Sequence, residues 1–141
     1  MRGIGLSLLL VLLVTGCQAA EKDIKSLQLE DHSIVDQHYS DEAKKVILSM
    51  KEVTEVKGVN DENKIYLAPT VKHFDRFRLK EIRKAGHDSV KKRFPNATVH
   101  LSTDKKVFIE LGKLEQQLKQ KQISKKHFKE KLKKMEEMMK G

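Results

Sequence analysis

The chain has 141 residues, a net charge of +9 at neutral pH, one cysteine and no tryptophan. One cysteine cannot pair within its own chain, which excludes a fold stapled by disulfides. A hydrophobic content of 38% over this length predicts one domain of modest size that depends on its own apolar core.

The N-terminus carries a short apolar run, residues 4–14, preceded by Arg2. A helix needs about 20 apolar residues to span a bilayer, so this run is too short, but it fits the hydrophobic region of a secretory signal peptide. We therefore expect residues 1–16 to be a signal peptide that is cleaved between Gly16 and Cys17.

The motif Val14-Thr15-Gly16-Cys17 resembles the lipobox of bacterial lipoproteins. In proteins with that motif, the cysteine thiol receives a diacylglycerol group and becomes the mature N-terminus. Two acyl chains hold a protein stably to a membrane. A lipid-modified Cys17 therefore predicts a protein anchored at the extracytoplasmic face of the cell membrane. The alternative is a spare thiol in an ordinary signal peptide.

Residues 17–39 show no regular period in their apolar positions. We interpret them as a flexible tether that holds a folded domain clear of the membrane. The alternative is that Leu27 and Leu29 add a short strand to that domain.

The folded domain, residues 40–104, is predicted to begin with a helix capped by Ser40 and ending near Lys51. The apolar stripe of this helix consists of Ala43, Val46, Ile47 and Met50.

Two β-type runs, 53–59 and 64–68, follow with the turn-forming residues 60–63 between them, and they predict a hairpin. Gly58 indicates a bulge or a close backbone approach, and Pro69 is expected to end the second strand because it lacks an amide donor.

Residues 75–93 are the longest helical candidate in the domain, and Pro95 ends it because the residue before proline is disfavoured in a helix. Its apolar positions are Leu79, Ile82, Gly86 and Val90, with Phe77 beside them. Its opposite face, called the basic surface below, consists of Arg76, Lys80, Arg83, Lys84, Lys91 and Lys92. Residues 97–102 alternate in character and predict a third strand with Val99 and Leu101 facing inward.

Residues 105–141, called the tail below, predict a basic pair of amphipathic helices. Ser124 is a good N-cap for the second helix, and Ile123 and Phe128 occupy the positions of a hydrophobic staple. The short connection predicts a helical hairpin. Its packing residues are expected to be Leu111, Leu114, Leu118, Phe128, Leu132 and Met135. These stripes can be buried against each other, the domain or another chain.

The element order predicts an α+β fold: a small αββαβ domain, with a three-stranded sheet and two helices, followed by a C-terminal amphipathic helical hairpin. In element order this unit resembles the ring-building domains of secretion and sporulation assemblies. That resemblance suggests contacts between copies of the chain.

The chain as a whole resembles the sporulation lipoproteins of the YhcN/YlaJ family over roughly residues 13–120. The resemblance rests on the lipobox, the polar tether, the segments 59–68 (VNDENKIYLA) and 97–104 (ATVHLSTD), the basic helix and the Lys-rich end. It implies a spore-forming Gram-positive bacterium and an association with sporulation, the spore membrane, germination or outgrowth. It brings no catalytic residues with it.

Charge is unevenly distributed along the chain. Residues 17–71 hold seven Lys and eleven acidic residues, a net of −4, whereas residues 72–141 hold twenty-one Lys or Arg and nine acidic residues, a net of +12. In an exported protein, a basic surface favours anionic lipid headgroups, wall polymers or an acidic partner. The alternative is a solvated surface without a dedicated partner. Nucleic acid is disfavoured because the basic residues lack aromatic interleaving.

No catalytic motif is present. The six histidines, at 32, 38, 73, 87, 100 and 127, include no HExxH arrangement, and the chain has no Gly-rich phosphate loop or nucleophile elbow. We therefore predict a protein that is not an enzyme and needs no cofactor or metal. A loose surface metal site at His32 and His38, with Asp31 and Asp36, is the alternative.

Two functions remain. The first is a non-catalytic, membrane-anchored lipoprotein that acts through protein–protein contacts, with an unidentified envelope or spore protein or with copies of itself. The alternative is an electrostatic module that binds anionic lipid or cell-wall polymer through the basic helix and the tail. We favour the first function, because the implied edges of the sheet and the apolar stripes of the tail both invite packing.

Overall fold

The computed structural model describes Leu29 and residues 34–140. The predicted fold class is confirmed, because these residues form an α+β fold with a three-stranded mixed sheet and a C-terminal helical pair. The predicted signal peptide, Cys17 and much of the predicted tether lie outside the described residues. The elements are α1 (His38–Leu48), β1 (Val53–Asp61), β2 (Lys64–Val71), α2 (Leu79–Arg93), β3 (Thr98–Leu101), α3 (Lys105–Lys119) and α4 (Lys125–Lys140), with a 3-10 helix (His73–Arg78) between β2 and α2.

The sheet has the order β1-β2-β3, with β1 antiparallel and β3 parallel to β2. The predicted hairpin is present, but both of its strands are longer than expected. Asp61 still pairs with Lys64, so the turn contains only Glu62, which has a φ of 52°, and Asn63.

Pro69 does not end β2, contrary to the prediction, since the strand continues to Val71. The carbonyl of Leu67 accepts a hydrogen bond from the Ser102 N–H at the end of β3. Residues two apart in a strand point to the same side, so the ring nitrogen of Pro69 also points toward β3. Because β3 pairs with β2 only as far as Leu67, no amide donor is needed at this position.

Gly58 marks a close backbone approach and not a bulge. A Cβ at this position would lie 2.7 Å from Leu67 Cδ2 and 2.9 Å from the Tyr66 carbonyl oxygen. The irregularity in the β1–β2 register lies earlier, between Val53 and Glu55.

The sheet buries both of its faces. Ile65 and Leu67 of β2 point to the layer formed by α1 and α2, whereas Tyr66 and Ala68 point to the layer formed by α3 and α4. This alternation is the two-residue period of a strand that has a hydrophobic environment on each side.

The tail forms the second layer. As predicted, α3 begins next to Asp104, and the Ser124 side chain accepts a hydrogen bond from the His127 N–H at 3.2 Å at the start of α4. Ile123 and Phe128, the predicted staple, are both buried. All six predicted packing residues, Leu111, Leu114, Leu118, Phe128, Leu132 and Met135, are buried in one cluster with Val59, Tyr66 and Ala68 of the sheet. The tail stripes are therefore covered by the chain itself.

The folded part begins earlier than residue 40. Helix α1 starts at His38, and its N-terminus is capped from β1, since the Ser40 N–H donates to Asn60 Oδ1 at 2.8 Å. Leu29 is buried in the cluster with the tail helices. Interpreting all of residues 17–39 as a tether was therefore wrong for Leu29 and for residues 34–39, some of which pack into the domain. Helix α1 also ends at Leu48, before the expected Lys51.

Candidate functional site

The six side chains of the predicted basic surface are all exposed, and five of them lie on α2. The sixth, Arg76, lies on the preceding 3-10 helix. Helix α2 turns its other face, with Ile82, Gly86 and Val90, toward the sheet and α1. Ile82, Gly86 and Val90 of the predicted apolar face are thus buried, whereas Leu79 is only half-buried, and the predicted basic side chains lie at the surface.

Most cations of the basic surface lack a carboxylate partner among the described residues. Lys84 pairs with Asp88 at 2.6 Å, and both side chains are exposed. Arg83 contacts the Thr103 hydroxyl at 3.5 Å, and Lys91 donates to the carbonyl of Ala97. These contacts orient the side chains without neutralising Arg83 or Lys91. The surface therefore presents uncompensated positive charge to an anionic ligand.

A second exposed feature precedes α2. The sequence predicted one helix over residues 75–93, but the structure has a 3-10 helix as far as Arg78, and Phe77 does not lie beside the buried face. Phe77 is 83% exposed and Phe74 is 84% exposed. We call the segment His73–Arg78, with these two rings, the aromatic turn.

A buried group of charges joins α1, β1 and α3, and sequence reasoning missed it. Lys44 Nζ lies 3.3 Å from Asp41 Oδ1 and 3.3 Å from Glu115 Oε1. The Gly58 N–H donates to Glu115 Oε1 at 2.7 Å, and the Leu29 N–H donates to Asp41 Oδ2 at 2.9 Å. Burial raises the pKa of Glu115, while the nearby ammonium of Lys44 opposes that rise.

The sequence did contain a signal for this group. Glu115 stands four residues after Leu111 and three before Leu118, which places it in the apolar stripe of α3. Lys44 stands three residues before Ile47 on α1. Opposite charges inside two apolar stripes indicate a buried ion pair.

A third polar cluster attaches α4 to the sheet. The Tyr66 hydroxyl donates to Glu136 Oε1 at 2.5 Å, and the Tyr66 ring stacks on His100 with centroids 4.9 Å apart. The hydrogen bond from Tyr66 lowers the pKa of Glu136, whereas burial, and then the bond to Glu136, raises the pKa of Tyr66. Burial also lowers the pKa of His100, although Glu136 opposes that shift.

Among residues 29 and 34–140, no three His, Cys, Asp or Glu side chains are grouped as metal ligands would be. His32 and Asp31, two members of the conceivable metal site, lie outside the described residues. In the same part of the chain, no helix combines the length and the apolar character that crossing a bilayer requires.

Comparison of the chain with protein-family models, curated proteins and solved structures found no match. The resemblance to the YhcN/YlaJ family therefore stays a prediction, and any functional argument has to come from the surfaces described above.

The lowered pKa values of His100 and Glu136 predict a stability that falls as the pH falls. In both cases the unfolded chain takes up a proton at a higher pH than the folded chain does. The contribution of His100 is fully present above its usual value of about 6.5 and is lost as the pH drops through its lower folded-state pKa. Urea unfolding of the chain and of His100→Gln should therefore give free energies whose difference is constant between pH 7 and 8. Below pH 6.5 the native chain should lose more stability than the variant, and parallel curves over the whole range would contradict the assignment.

Proposed function

We propose that this chain is a non-catalytic lipoprotein, held at the extracytoplasmic face of the membrane through lipid-modified Cys17, in the envelope of a spore-forming bacterium during sporulation, germination or outgrowth. Its folded domain binds an anionic, phosphate-bearing surface, either lipid headgroups or a wall polymer. The observation that carries this proposal is the exposed and largely uncompensated positive charge of the basic surface.

The burial of the tail favours this electrostatic mode over protein–protein contacts. A tail that used its apolar stripes to bind a partner would need them at the surface, but Leu111, Leu118 and Phe128 are fully buried within the chain. Phe108, Met138 and Met139 are partly buried and pack against the same cluster. The tail therefore stabilises the domain and offers no broad apolar stripe for a partner.

The sheet edges do not favour a partner strand either. The outward N–H groups of Gly58 and Asn60 on β1 already donate to the side chains of Glu115 and Gln37. At the opposite edge, β3 has only four residues. Proteins prevent the addition of a partner strand by covering the edge of a sheet or by keeping the edge strand short.

The proposed anchor lies close to the domain. The buried Leu29 lies twelve positions after Cys17 in the sequence. Twelve residues span at most about 43 Å when fully extended. A domain held within this distance of a bilayer experiences a high effective concentration of headgroups, so that modest electrostatic attraction is sufficient.

The lipid anchor is tested by replacing Cys17. Cys17→Ser removes the thiol that would carry the acyl chains, so the expected result is release of the protein into the soluble fraction or failure to cleave residues 1–16. Cell fractionation and mass spectrometry of the N-terminal peptide measure this. A processed variant that stays in the membrane fraction, or an unmodified thiol in the native protein, would refute the anchor.

The basic surface is tested with two variants of equal charge. In the first, Arg83, Lys84, Lys91 and Lys92 are replaced by Gln, and in the second, the exposed α4 residues Lys125, Lys126, Lys133 and Lys134 are replaced by Gln. The probe is soluble polyglycerol phosphate, or vesicles of phosphatidylglycerol, added to the full chain reconstituted in neutral phosphatidylcholine vesicles.

Each cation near an anionic surface contributes about 1 kcal/mol, so the α2 variant, which lacks four, should bind either probe up to roughly a thousandfold more weakly at 0.1 M salt. The native chain should lose most of its binding at 1 M salt, where the Debye length falls to about 3 Å. Equal loss in the two variants, or binding that persists at 1 M salt, would count against a dedicated basic surface.

A further inference from the structure

We propose that the aromatic turn is a membrane-inserting element, with Phe74 and Phe77 entering the headgroup–acyl boundary of an anionic phospholipid bilayer. This inference rests on the proposed function and narrows it, because it selects a lipid surface over a wall polymer. It also assigns a role to two side chains that contribute little to the core.

The two rings project into solvent from the same short 3-10 helix, and together they are called the patch below. Phe74 and Phe77 are three residues apart in a 3-10 helix, where side chains at that spacing eclipse each other about 6 Å apart along the axis. Both are more than four-fifths exposed, whereas Ile109, the next most exposed large apolar side chain among the described residues, is 45% exposed. Single exposed apolar residues are common, but two adjacent phenylalanines at this exposure indicate an interaction site.

The turn that displays the rings is held in place by polar contacts. The Asp75 N–H donates to the Lys72 carbonyl at 3.0 Å, and the Asp75 carboxylate pairs with Arg78 at 2.8 Å. Arg78 also lies 3.8 Å from Glu52, which precedes β1. The backbone is thus fixed to the domain while the rings point away from it, so insertion would not require the turn to refold.

Cations are concentrated in the sequence on both sides of the patch, and the guanidinium of Arg78 lies 5.9 Å from the centroid of the Phe77 ring. Residues 72–84 contain six Lys or Arg and two acidic residues, a net of +4, and one of the acidic residues, Asp75, is already paired with Arg78. Four of the six cations, Arg76, Lys80, Arg83 and Lys84, belong to the basic surface. Apolar side chains that enter the boundary region, together with cations that attract anionic headgroups, are the two contributions that hold proteins at a membrane interface.

The shape of the patch favours a bilayer over a protein. Two rings on one short turn cover far less than the roughly 800 Å² per partner that a specific protein interface buries. A fluid bilayer can accept small protruding groups of this kind without a complementary pocket. With Cys17 as the first attachment, the aromatic turn would be the second, and it would fix the orientation in which the basic surface meets the headgroups.

The absence of tryptophan from the chain allows a direct test. Phe74→Trp and Phe77→Trp each create a single tryptophan in the aromatic turn, and Ile109→Trp is the matched control on α3. The full-length variants are reconstituted in vesicles of phosphatidylcholine with phosphatidylglycerol, with and without brominated acyl chains, and in vesicles of phosphatidylcholine alone.

Tryptophan emission at positions 74 and 77 should shift to the blue and be quenched by the brominated chains in the anionic vesicles, and this quenching should weaken in neutral vesicles and at 1 M salt. The emission of the Ile109→Trp control should change little. In addition, the double variant Phe74→Ala/Phe77→Ala should bind added anionic vesicles about tenfold more weakly than the native chain.

Emission at positions 74 and 77 that behaves like the Ile109→Trp control would overturn the inference. A blue shift without quenching by the brominated chains would also overturn it, because such a shift would report a contact with protein and not with acyl chains. The proposed function is judged separately: if neutralising α2 abolishes anionic binding while the tryptophans remain in water, the basic surface stands and the insertion fails. If neither the α2 variant nor the Phe74→Ala/Phe77→Ala variant binds anionic vesicles more weakly than the native chain, both the proposed function and the insertion are wrong.

Discussion

The ammonium group of Lys44 on α1 meets the carboxylate of Glu115 on α3 at the edge of β1, where both side chains are buried and Glu115 also accepts the Gly58 N–H. Removing one partner of such a pair typically costs roughly 3–5 kcal/mol, a large share of a total stability of about 5–15 kcal/mol. The pair connects the two helical layers around the outer edge of the sheet and occupies an edge amide that could otherwise bind a partner strand. Gly58 permits this approach, because a Cβ there would lie 3.3 Å from Lys44 Cγ.

The function that we propose follows from what this arrangement leaves at the surface. Helices cover both faces of the sheet, and the apolar groups of the tail are buried against one of these faces, where they contribute to stability. At the outer edge of β1, the N–H groups of Gly58 and Asn60 already donate to side chains. The remaining distinctive surfaces are the positive charge of α2 and the two rings of the aromatic turn. Both suit contact with a charged, anionic interface. The fold alone would not identify this role, because the same architecture serves many functions.

Much of the fold could be predicted from the sequence because the apolar spacing and the capping residues within each segment favour the same element that the structure contains. The staple of Ile123 and Phe128 and the apolar stripes of the two tail helices are local features, and these are buried as the pattern predicted. What could not be predicted depends on distant parts of the chain. Leu29 is isolated in a polar segment, and only the three-dimensional structure shows that it fills the core beside the tail. Lys44 and Glu115 are 71 residues apart, so the apolar stripe of α1 or of α3 taken alone does not show that the two charges form an ion pair. The basic surface could be predicted because it follows from the spacing of residues within one helix. The exposure of Phe77 could not, because it depends on the 3-10 geometry before α2.

Our explanation depends most on the integration of the tail with the sheet, and hydrogen exchange of the full-length chain measures this directly. If α3 is a layer of the core, its central amides should be protected to the same degree as those of β2, since both then exchange only through opening of the whole domain. Exchange of the α3 amides at rates close to those of an unfolded peptide, while β2 stays protected, would contradict this structure. It would show a tail that detaches from the domain and exposes its apolar stripe to partners.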